Sequence, residues 1–296
     1  MEAIWQWGLS VIIFVQQMHS PVMDSIFRGI TFMGEEQFYL FLLPFFVWCL
    51  DYSFGAVLAA FFLLSNYINI CLKDLLMQPR PFDINPSVKL GSVEGYGMPS
   101  GHAQSAVVVW GAVALWVRRK WFWALAIVII LLISFSRVYL GLHFPTDVFA
   151  GWVTGAILLL IYIAIGDRVQ VWLKKLNLAL QLLLALGVPV LLVLLHPTND
   201  AGTTLGTLAG MSAGLVVTQR YVSFSARGLW WKRIVRFVCG LIVLLALYIG
   251  LKAAFPGEGS PLQLFFRFLR YGLLGIWVTL GAPWLFRLTR LASTAE

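Results

Sequence analysis

The feature that most constrains the fold of this chain is a series of apolar runs that takes up most of its 296 residues. Hydrophobic residues make up 60% of the chain and charged residues only 11%, whereas a soluble domain carries about 25% charged residues. A soluble core could not hold this much apolar surface, but a lipid bilayer can. The sequence therefore predicts an all-α, polytopic membrane protein, because helices satisfy their own backbone groups in lipid.

Counting the runs predicts a bundle of eight or nine spans, although some runs are shorter than the roughly 20 residues that cross a bilayer. The first two runs, residues 4–17 and 21–34, are short and suit helices that lie in the membrane interface. We predict three sections, namely N-terminal interfacial helices (1–35), a transmembrane core (36–166) and C-terminal transmembrane helices (167–296). The last section carries no chemistry that the sequence reveals.

Three short polar clusters stand within the apolar sequence between residues 73 and 147. They contain Lys73 and Arg80; Pro99, Ser100, Gly101 and His102; and Arg137, His143 and Asp147. Together they supply cations, two imidazoles, a hydroxyl and a carboxylate. Phosphoryl transfer without a metal needs such a set, with cations for the equatorial oxygens, a nucleophile, and an acid for the leaving group.

The third cluster is the hardest to explain by a structural role. A cation inside a span costs about 2.5–3.5 kcal/mol, so we expect Arg137 to face a partner or a wet cavity. Asp147 lies in the first turn of a helix that begins near Pro145, and His143 precedes it by four residues. A carboxylate on one imidazole nitrogen fixes the tautomer and leaves the other nitrogen free to attack.

The other two clusters each have a simpler alternative. Lys73 and Arg80 could be ordinary cations at the end of a span, but the prolines on both sides of Arg80 favour a fixed, bidentate phosphate contact. Ser100 and His102 stand where a loop becomes a helix, and the first turn of a helix attracts anions. Ser100 could instead be only an N-cap, and His102 could be structural.

The spacing of these clusters resembles the three-part signature of the type 2 phosphatidic acid phosphatase (PAP2) superfamily. The resemblance rests on Lys73 followed after six residues by Arg80-Pro81, on Pro99-Ser100-Gly101-His102, and on Ser136-Arg137 followed by His143 and Asp147. It covers residues 54–166, and the apolar composition indicates the membrane-embedded branch, so residues 36–166 are expected to be a PAP2-like catalytic core.

The resemblance implies a role for each residue. His143 would attack phosphorus and form a phosphohistidine, Asp147 would orient it, and His102 would protonate the leaving oxygen and then activate water. The phosphoryl oxygens would be held by side chains of the three clusters and one amide, namely Lys73, Arg80, Ser100, Gly101 and Arg137. The scheme needs no metal and no cofactor.

The implied function is that of a phosphatase for a membrane lipid phosphate or diphosphate. Undecaprenyl (pyro)phosphate, phosphatidic acid, phosphatidylglycerol phosphate and sphingoid phosphates all remain open, because the cluster residues contact only phosphate. The loop 82–98, with Asp83, Lys89 and Glu94, is the expected place of head-group selectivity. The alternatives are a phosphotransferase to a lipid or sugar acceptor and a non-catalytic transporter of phosphate-bearing lipids.

The basic residues predict the orientation of the protein. The net charge of +8 does not indicate nucleic acid, because the cations lie in alternate loops between apolar runs, as the positive-inside rule requires. One set of loops, which includes Arg118–Lys120 and Arg227–Arg236, should be cytoplasmic. The three clusters then fall on the non-cytoplasmic side, and we expect the protein in the cell (inner) membrane.

A stripe of glycines recurs at every fourth residue of one apolar run, at Gly202, Gly206, Gly210 and Gly214. Small residues at this spacing let a second helix approach closely. The stripe favours packing within the chain, and the alternative is a homodimer face.

Overall fold

The computed structural model describes residues 2–257 and 259–293, whose regular elements are helices. The helices are α1 (Glu2–Val15), α2 (Pro21–Phe32), α3 (Glu36–Phe45), α4 (Tyr52–Leu76), α5 (Pro81–Ile84), α6 (Gly101–Val117), α7 (Lys120–Tyr139), α8 (Pro145–Lys175), α9 (Leu178–Leu195), α10 (Asn199–Val217), α11 (Trp230–Ala254), α12 (Gln263–Ile276) and α13 (Ala282–Leu288). One turn of π-helix extends each of α3, α10 and α12.

The lengths of these helices confirm the prediction of an all-α, polytopic membrane fold. Within the described ranges, seven helical segments are long and apolar enough to cross a bilayer, and two further apolar helices, α3 with its π-turn and α6, are shorter. The total of nine agrees with the eight or nine predicted spans. Helices α1 and α2 are not among the seven, and their predicted position in the membrane interface remains a prediction.

The chain separates into two compact units. The first unit comprises Met1–Tyr39 and Ile68–Gly166, and the second comprises Leu40–Tyr67 and Asp167–Glu296. All three polar clusters belong to the first unit, and so do α1 and α2. The division of the chain into three functional sections remains a prediction.

In the first unit, α1 packs behind the turn that joins α7 to α8. Leu9 and Ile12 of α1 share a buried cluster with Phe144 of that turn. A Cβ atom added at Gly8 would come within 2.6 Å of the Phe144 ring, so only glycine allows this approach. The side chain of Gln16 also donates hydrogen bonds to the carbonyls of Val88 and Tyr139, both at 2.8 Å. The N-terminal helix therefore supports the turn that carries His143.

In the second unit, the glycine stripe of α10 packs against the segment that begins with α12. Cβ atoms added at Gly206 and Gly210 would come within 2.4 Å of the Phe268 carbonyl oxygen and 1.9 Å of the Gly272 carbonyl oxygen. This contact confirms the prediction that the stripe serves packing within the chain. The alternative, a homodimer, remains a prediction.

We expect Gly210→Ala to destabilise the protein, because the new methyl group must push apart two helix backbones. Overpacking of this kind costs about 1–3 kcal/mol. Gly250→Ala is a matched control, because Gly250 lies inside α11 with no heavy atom within 4 Å of the added Cβ. In thermal unfolding of the purified protein in detergent, Gly210→Ala should lower the Tm and Gly250→Ala should not. Equal Tm values for the two variants would contradict the close packing.

Candidate active site

The turn between α7 and α8 places His143 at the start of α8. Arg137 lies in the last turn of α7, and its carbonyl accepts hydrogen bonds from the backbone N–H groups of Leu142 (3.0 Å) and His143 (3.3 Å). Gly141 has φ +66°, a left-handed conformation that favours glycine. The carboxylate of Asp147 then accepts the Phe144 N–H at 2.9 Å and so caps the first turn of α8.

The imidazole of His143 is held between a carboxylate and a guanidinium. Its Nδ1 lies 3.4 Å from Asp147 Oδ2, a long hydrogen bond, and both side chains are 2% exposed. Its Nε2 lies 3.3 Å from Arg80 Nη1. A guanidinium only donates hydrogen bonds, so Nε2 faces it with a lone pair and Nδ1 carries the proton that points to Asp147. The sequence predicted that Asp147 would hold one ring nitrogen, and in the structure that nitrogen is Nδ1. The role of the other nitrogen, Nε2, as the nucleophile remains a prediction.

The environment of His143, in the turn between two helices, keeps its imidazole neutral. Burial lowers the pKa of His143 well below its usual value, and the charges of Lys73, Arg80 and Arg137 lower the pKa further. A neutral imidazole has the lone pair that the predicted nucleophile needs.

Arg80 is committed mainly to the backbone. Its guanidinium, on a side chain only 3% exposed, donates to the carbonyls of Gly95 (2.6 Å), Glu94 (2.8 Å) and Leu142 (3.0 Å). It therefore fastens the loop before α6 to the turn that carries His143. The fixed guanidinium fits the expectation drawn from its flanking prolines, whereas its bidentate phosphate contact remains a prediction.

Lys73 contacts the same loop. Its Nζ donates to the carbonyl of Tyr96 at 2.6 Å and to that of Gly97 at 3.4 Å. The loop in turn is tied back to the end of the first cluster, because the Gly97 N–H donates to the Gln78 carbonyl at 2.8 Å. The first cluster and the loop thus form one hydrogen-bonded assembly.

Arg137 has more unused donors than Arg80. It is 3% exposed, and its Nη1 donates to the hydroxyl of Thr31 at 2.8 Å. Its Nε is buried and has no hydrogen-bond partner in the described part of the chain. A buried donor without a partner is costly, so this guanidinium is well prepared to bind an anion.

Ser100 does not cap α6. It occupies the N-cap position, but its side chain makes no capping hydrogen bond. The residue is 0% exposed, and its Oγ has no partner among the residues that the structure describes. The alternative that Ser100 is only an N-cap is therefore wrong. Its backbone N–H donates to the Asp147 carbonyl at 2.9 Å, which joins the second cluster to the third.

His102 stands one residue after Gly101, the first residue of α6. A Cβ atom added at Gly34 would come within 2.6 Å of His102 Cδ2, so the segment after α2 packs closely on the ring. The Nε2 atom of His102 is buried and, over the described ranges, has no hydrogen-bond partner. It is thus available to a group that enters the site.

The structure brings all eight predicted site residues into the first unit and links the three clusters through Arg80, His143, Asp147 and Ser100.

The structure also places around the site residues that were not predicted from the sequence. Asn69, only 4% exposed, donates to the carbonyl of Pro99 (3.3 Å) and to the side chain of Gln104 (2.8 Å). Asn69 could have been found from the sequence, because it is a polar residue inside a span and lies one helical turn before Lys73. Thr31 and Gly34 gave no such signal.

We expect Ser100→Ala to lower kcat/KM for phosphate release while the fold remains intact. A hydrogen bond to a charged group contributes about 1.5–3 kcal/mol, which corresponds to roughly a 10–100-fold loss. Ser105→Ala, in the next turn of α6, is the control and should keep its activity. If Ser100→Ala lowers the Tm substantially as well as kcat/KM, the hydroxyl has a structural role instead.

Two family models match the chain. The model described as the PAP2 superfamily matches residues 54–170, and the model described as the transmembrane extension of PAP2 superfamily phosphatases matches residues 202–294. The first match contains all three clusters. The second match lies in the C-terminal region, to which the sequence analysis assigned no chemistry.

Several characterised proteins are similar to the chain. Sphingosine-1-phosphate phosphatase 1 of Mus musculus is 27% identical in an alignment 303 positions long, gaps included, that covers 86% of this chain and 70% of the mouse protein. The undecaprenyl-diphosphatase of Sulfolobus acidocaldarius is 40% identical over 105 residues, which cover 34% of this chain and 50% of that protein. The crystal structure of a transmembrane PAP2-type phosphatidylglycerolphosphate phosphatase from Bacillus subtilis has the same fold, with a TM-score of 0.51 at 24% identity over 57% of this chain and 88% of that one.

Proposed function

Because the chain belongs to the PAP2 superfamily as an integral membrane phosphatase, we propose that it hydrolyses a lipid phosphate or lipid diphosphate through a phosphohistidine on His143. The observation that carries this proposal is the position of the His143 imidazole, whose Nδ1 lies 3.4 Å from Asp147 Oδ2 and whose Nε2 lies 3.3 Å from Arg80 Nη1, an arrangement that fits a proton on Nδ1 and a lone pair on Nε2. A pocket that only binds phosphate does not need a nucleophilic nitrogen oriented in this way.

In the first step, Nε2 of His143 attacks the phosphorus and the bond from phosphorus to the leaving oxygen breaks. The imidazole becomes cationic as the N–P bond forms, and the buried carboxylate of Asp147 stabilises that charge. His102, which is protonated when the anionic phosphate is bound beside it, donates that proton to the leaving oxygen and becomes neutral. The unpartnered Nε2 of His102 supports this role.

In the second step, water attacks the phosphohistidine. His102, now neutral, accepts a proton from the water, the N–P bond breaks, and inorganic phosphate and neutral His143 are released. One residue thus acts first as an acid and then as a base, which returns the site to its starting state.

Three cations, a hydroxyl and an amide stabilise the charge that develops on the phosphoryl oxygens. Arg137 and Ser100 have buried donor atoms without partners, so we assign them the principal contacts. The Gly101 N–H opens α6 and is one of the unpaired amides of a helix start. Lys73 and Arg80 add charge from the loop side. With so many fixed donors, the reaction does not need a metal.

The reaction centre lies on the non-cytoplasmic side of the membrane in this proposal. The distribution of cations among the loops supports that side. A lipid tail would remain in the bilayer while its phosphate enters the site at the membrane–water boundary. The length of the apolar helices supports the embedding.

The proposal is tested by measuring phosphate release by the purified chain in detergent from matched lipid monophosphates and diphosphates, with EDTA present. We expect phosphate release from at least one lipid substrate, unchanged by EDTA. Binding of every lipid without release would favour a transporter, and transfer to an added lipid or sugar alcohol in place of water would favour a phosphotransferase. Loss of release with EDTA would contradict the metal-free mechanism.

A further inference from the structure

A polar cavity shares Arg137 with the proposed phosphate site. It has a volume of about 580 Å³ and lies in the first unit, where its lining includes Arg28, Thr31, Glu35, Lys89 and Arg137. We call it the side cavity. The proposed mechanism uses only Arg137 from this lining, so the function of the other charged residues is open.

The side cavity has an excess of positive charge. Arg28, Lys89 and Arg137 face one carboxylate, that of Glu35, and Glu35 interacts electrostatically with Arg137. Arg28 interacts electrostatically with Asp24, a carboxylate outside the lining, and Lys89 has no second carboxylate beside it in the lining. The nearby carboxylate of Asp24 is already bonded to Tyr139 Oη at 2.7 Å and His19 Nδ1 at 3.0 Å.

The side chains of Arg28 and Lys89 are exposed, and each also contacts a neutral group. Arg28 Nη2 donates to the Leu90 carbonyl at 3.1 Å, and Lys89 Nζ lies 4.5 Å from the centre of the Phe82 ring. These contacts limit the motion of both side chains but do not cancel their charge. The side cavity therefore presents two positioned cations to an anion.

The lining of the side cavity is close in sequence to a residue that packs on His102. Thr31 and Glu35 of its lining flank Gly34, which packs on the ring of His102. His102 is the residue that protonates the leaving oxygen in the proposed mechanism. A group attached to that oxygen would thus be directed toward the side cavity.

We propose that the side cavity binds the leaving group and that this group is itself a phosphate, which makes a lipid diphosphate the preferred substrate. The inference rests on the proposed function. His143 Nε2 attacks the terminal phosphorus, the bond from that phosphorus to the bridging oxygen breaks, and His102 protonates the bridging oxygen. Water then releases inorganic phosphate from His143, so that a lipid diphosphate and water give a lipid monophosphate and phosphate. Arg28 and Lys89 bind the lipid-linked phosphate throughout.

The charge of the side cavity disfavours the competing head groups. A sphingoid base would place an ammonium group beside Arg28 and Lys89, and the one carboxylate in the lining already interacts with Arg137. A glycerol or lipid alcohol would leave both cations without an anion. A phosphate satisfies both cations, because it accepts several charge-assisted hydrogen bonds.

The test compares two substrates that share one prenyl tail, a diphosphate and a monophosphate, in detergent with the full-length protein. The variants are Arg28→Gln, Lys89→Gln and the double variant, with Lys252→Gln, an exposed residue of the second unit, as the control. Each lost charge-assisted contact should lower kcat/KM for the diphosphate about tenfold or more. The monophosphate value should change less than about threefold, and Lys252→Gln should change neither.

Arg28 also holds the loop through Leu90, so a structural effect needs its own readout. A disturbed loop would lower kcat/KM for both substrates equally, and that result would overturn the inference, as would an unchanged diphosphate value in the double variant. Arg28→Lys keeps the charge and should restore most of the preference for diphosphate. The unmodified chain could release phosphate from both substrates while the variants show no selective effect on the diphosphate. That result would support the proposed function and refute this inference.

Discussion

Replacement of His143 by glutamine is expected to abolish phosphate release. Glutamine keeps a polar side chain in the turn but has no basic nitrogen that can form a phosphoenzyme. Loss of a catalytic nucleophile lowers kcat by about 10⁴-fold or more. Because Arg137, Ser100 and His102 do not depend on His143 for their hydrogen bonds, the variant should still bind the lipid substrate. Phosphate release and ligand binding should therefore be measured on the same preparation.

His19→Gln is the matched control for this variant. His19 is exposed and contacts Asp24, and it has no part in the mechanism. Full activity of His19→Gln beside an inactive, folded and substrate-binding His143→Gln variant would support the assignment. Turnover by His143→Gln within about tenfold of the unmodified chain would exclude His143 as the nucleophile.

Arg137→Gln is expected to have the second largest effect. Arg137 is a buried cation whose Nε lacks a partner within the described residues, it lines the side cavity, and it belongs to the proposed phosphate site. Loss of one fixed donor to a developing anion costs about 10²–10³-fold in kcat, and the loss of a full charge in a dry site should reach the upper end of this range. The measurement is kcat and KM for phosphate release.

Two further variants separate the charge of Arg137 from its structural contacts. Arg137→Lys keeps the charge without the planar donors, so it should recover part of the lost activity. Arg168→Gln removes an exposed cation from α8 and should leave both constants unchanged. A fully active Arg137→Gln variant would mean that Lys73 and Arg80 suffice for the phosphoryl group.

Much of the fold could be predicted because the bilayer restricts the choices of the chain. Long apolar runs favour spans, and seven described helical segments are long and apolar enough to cross a bilayer. The pairing of His143 with Asp147 was predictable for a similar local reason, because four residues across a helix start bring the two side chains together. Local spacing is visible in a sequence.

The contacts that the sequence did not predict are long-range. The Thr31 hydroxyl accepts a hydrogen bond from Arg137, which is 106 residues away in the sequence. Nothing in the sequence around either residue indicates this contact. The contacts of Arg80 could not be predicted either. Its guanidinium binds the backbone carbonyls of Gly95, Glu94 and Leu142, and every residue type has such a carbonyl. The side cavity depends on α2 and the loop before α6 lying together, which only tertiary packing decides.

The most direct test of the account is to trap the phosphoenzyme. In His102→Gln, formation of the phosphohistidine from an aryl phosphate lipid needs no general acid, whereas its hydrolysis lacks a base, so the intermediate should accumulate. With a radiolabelled phosphoryl group, acid-labile and alkali-stable label should appear on the peptide that carries His143 and should be absent from the His102→Gln, His143→Gln double variant. Label on another residue, or equal labelling of the double variant, would contradict the central claim that His143 is the nucleophile.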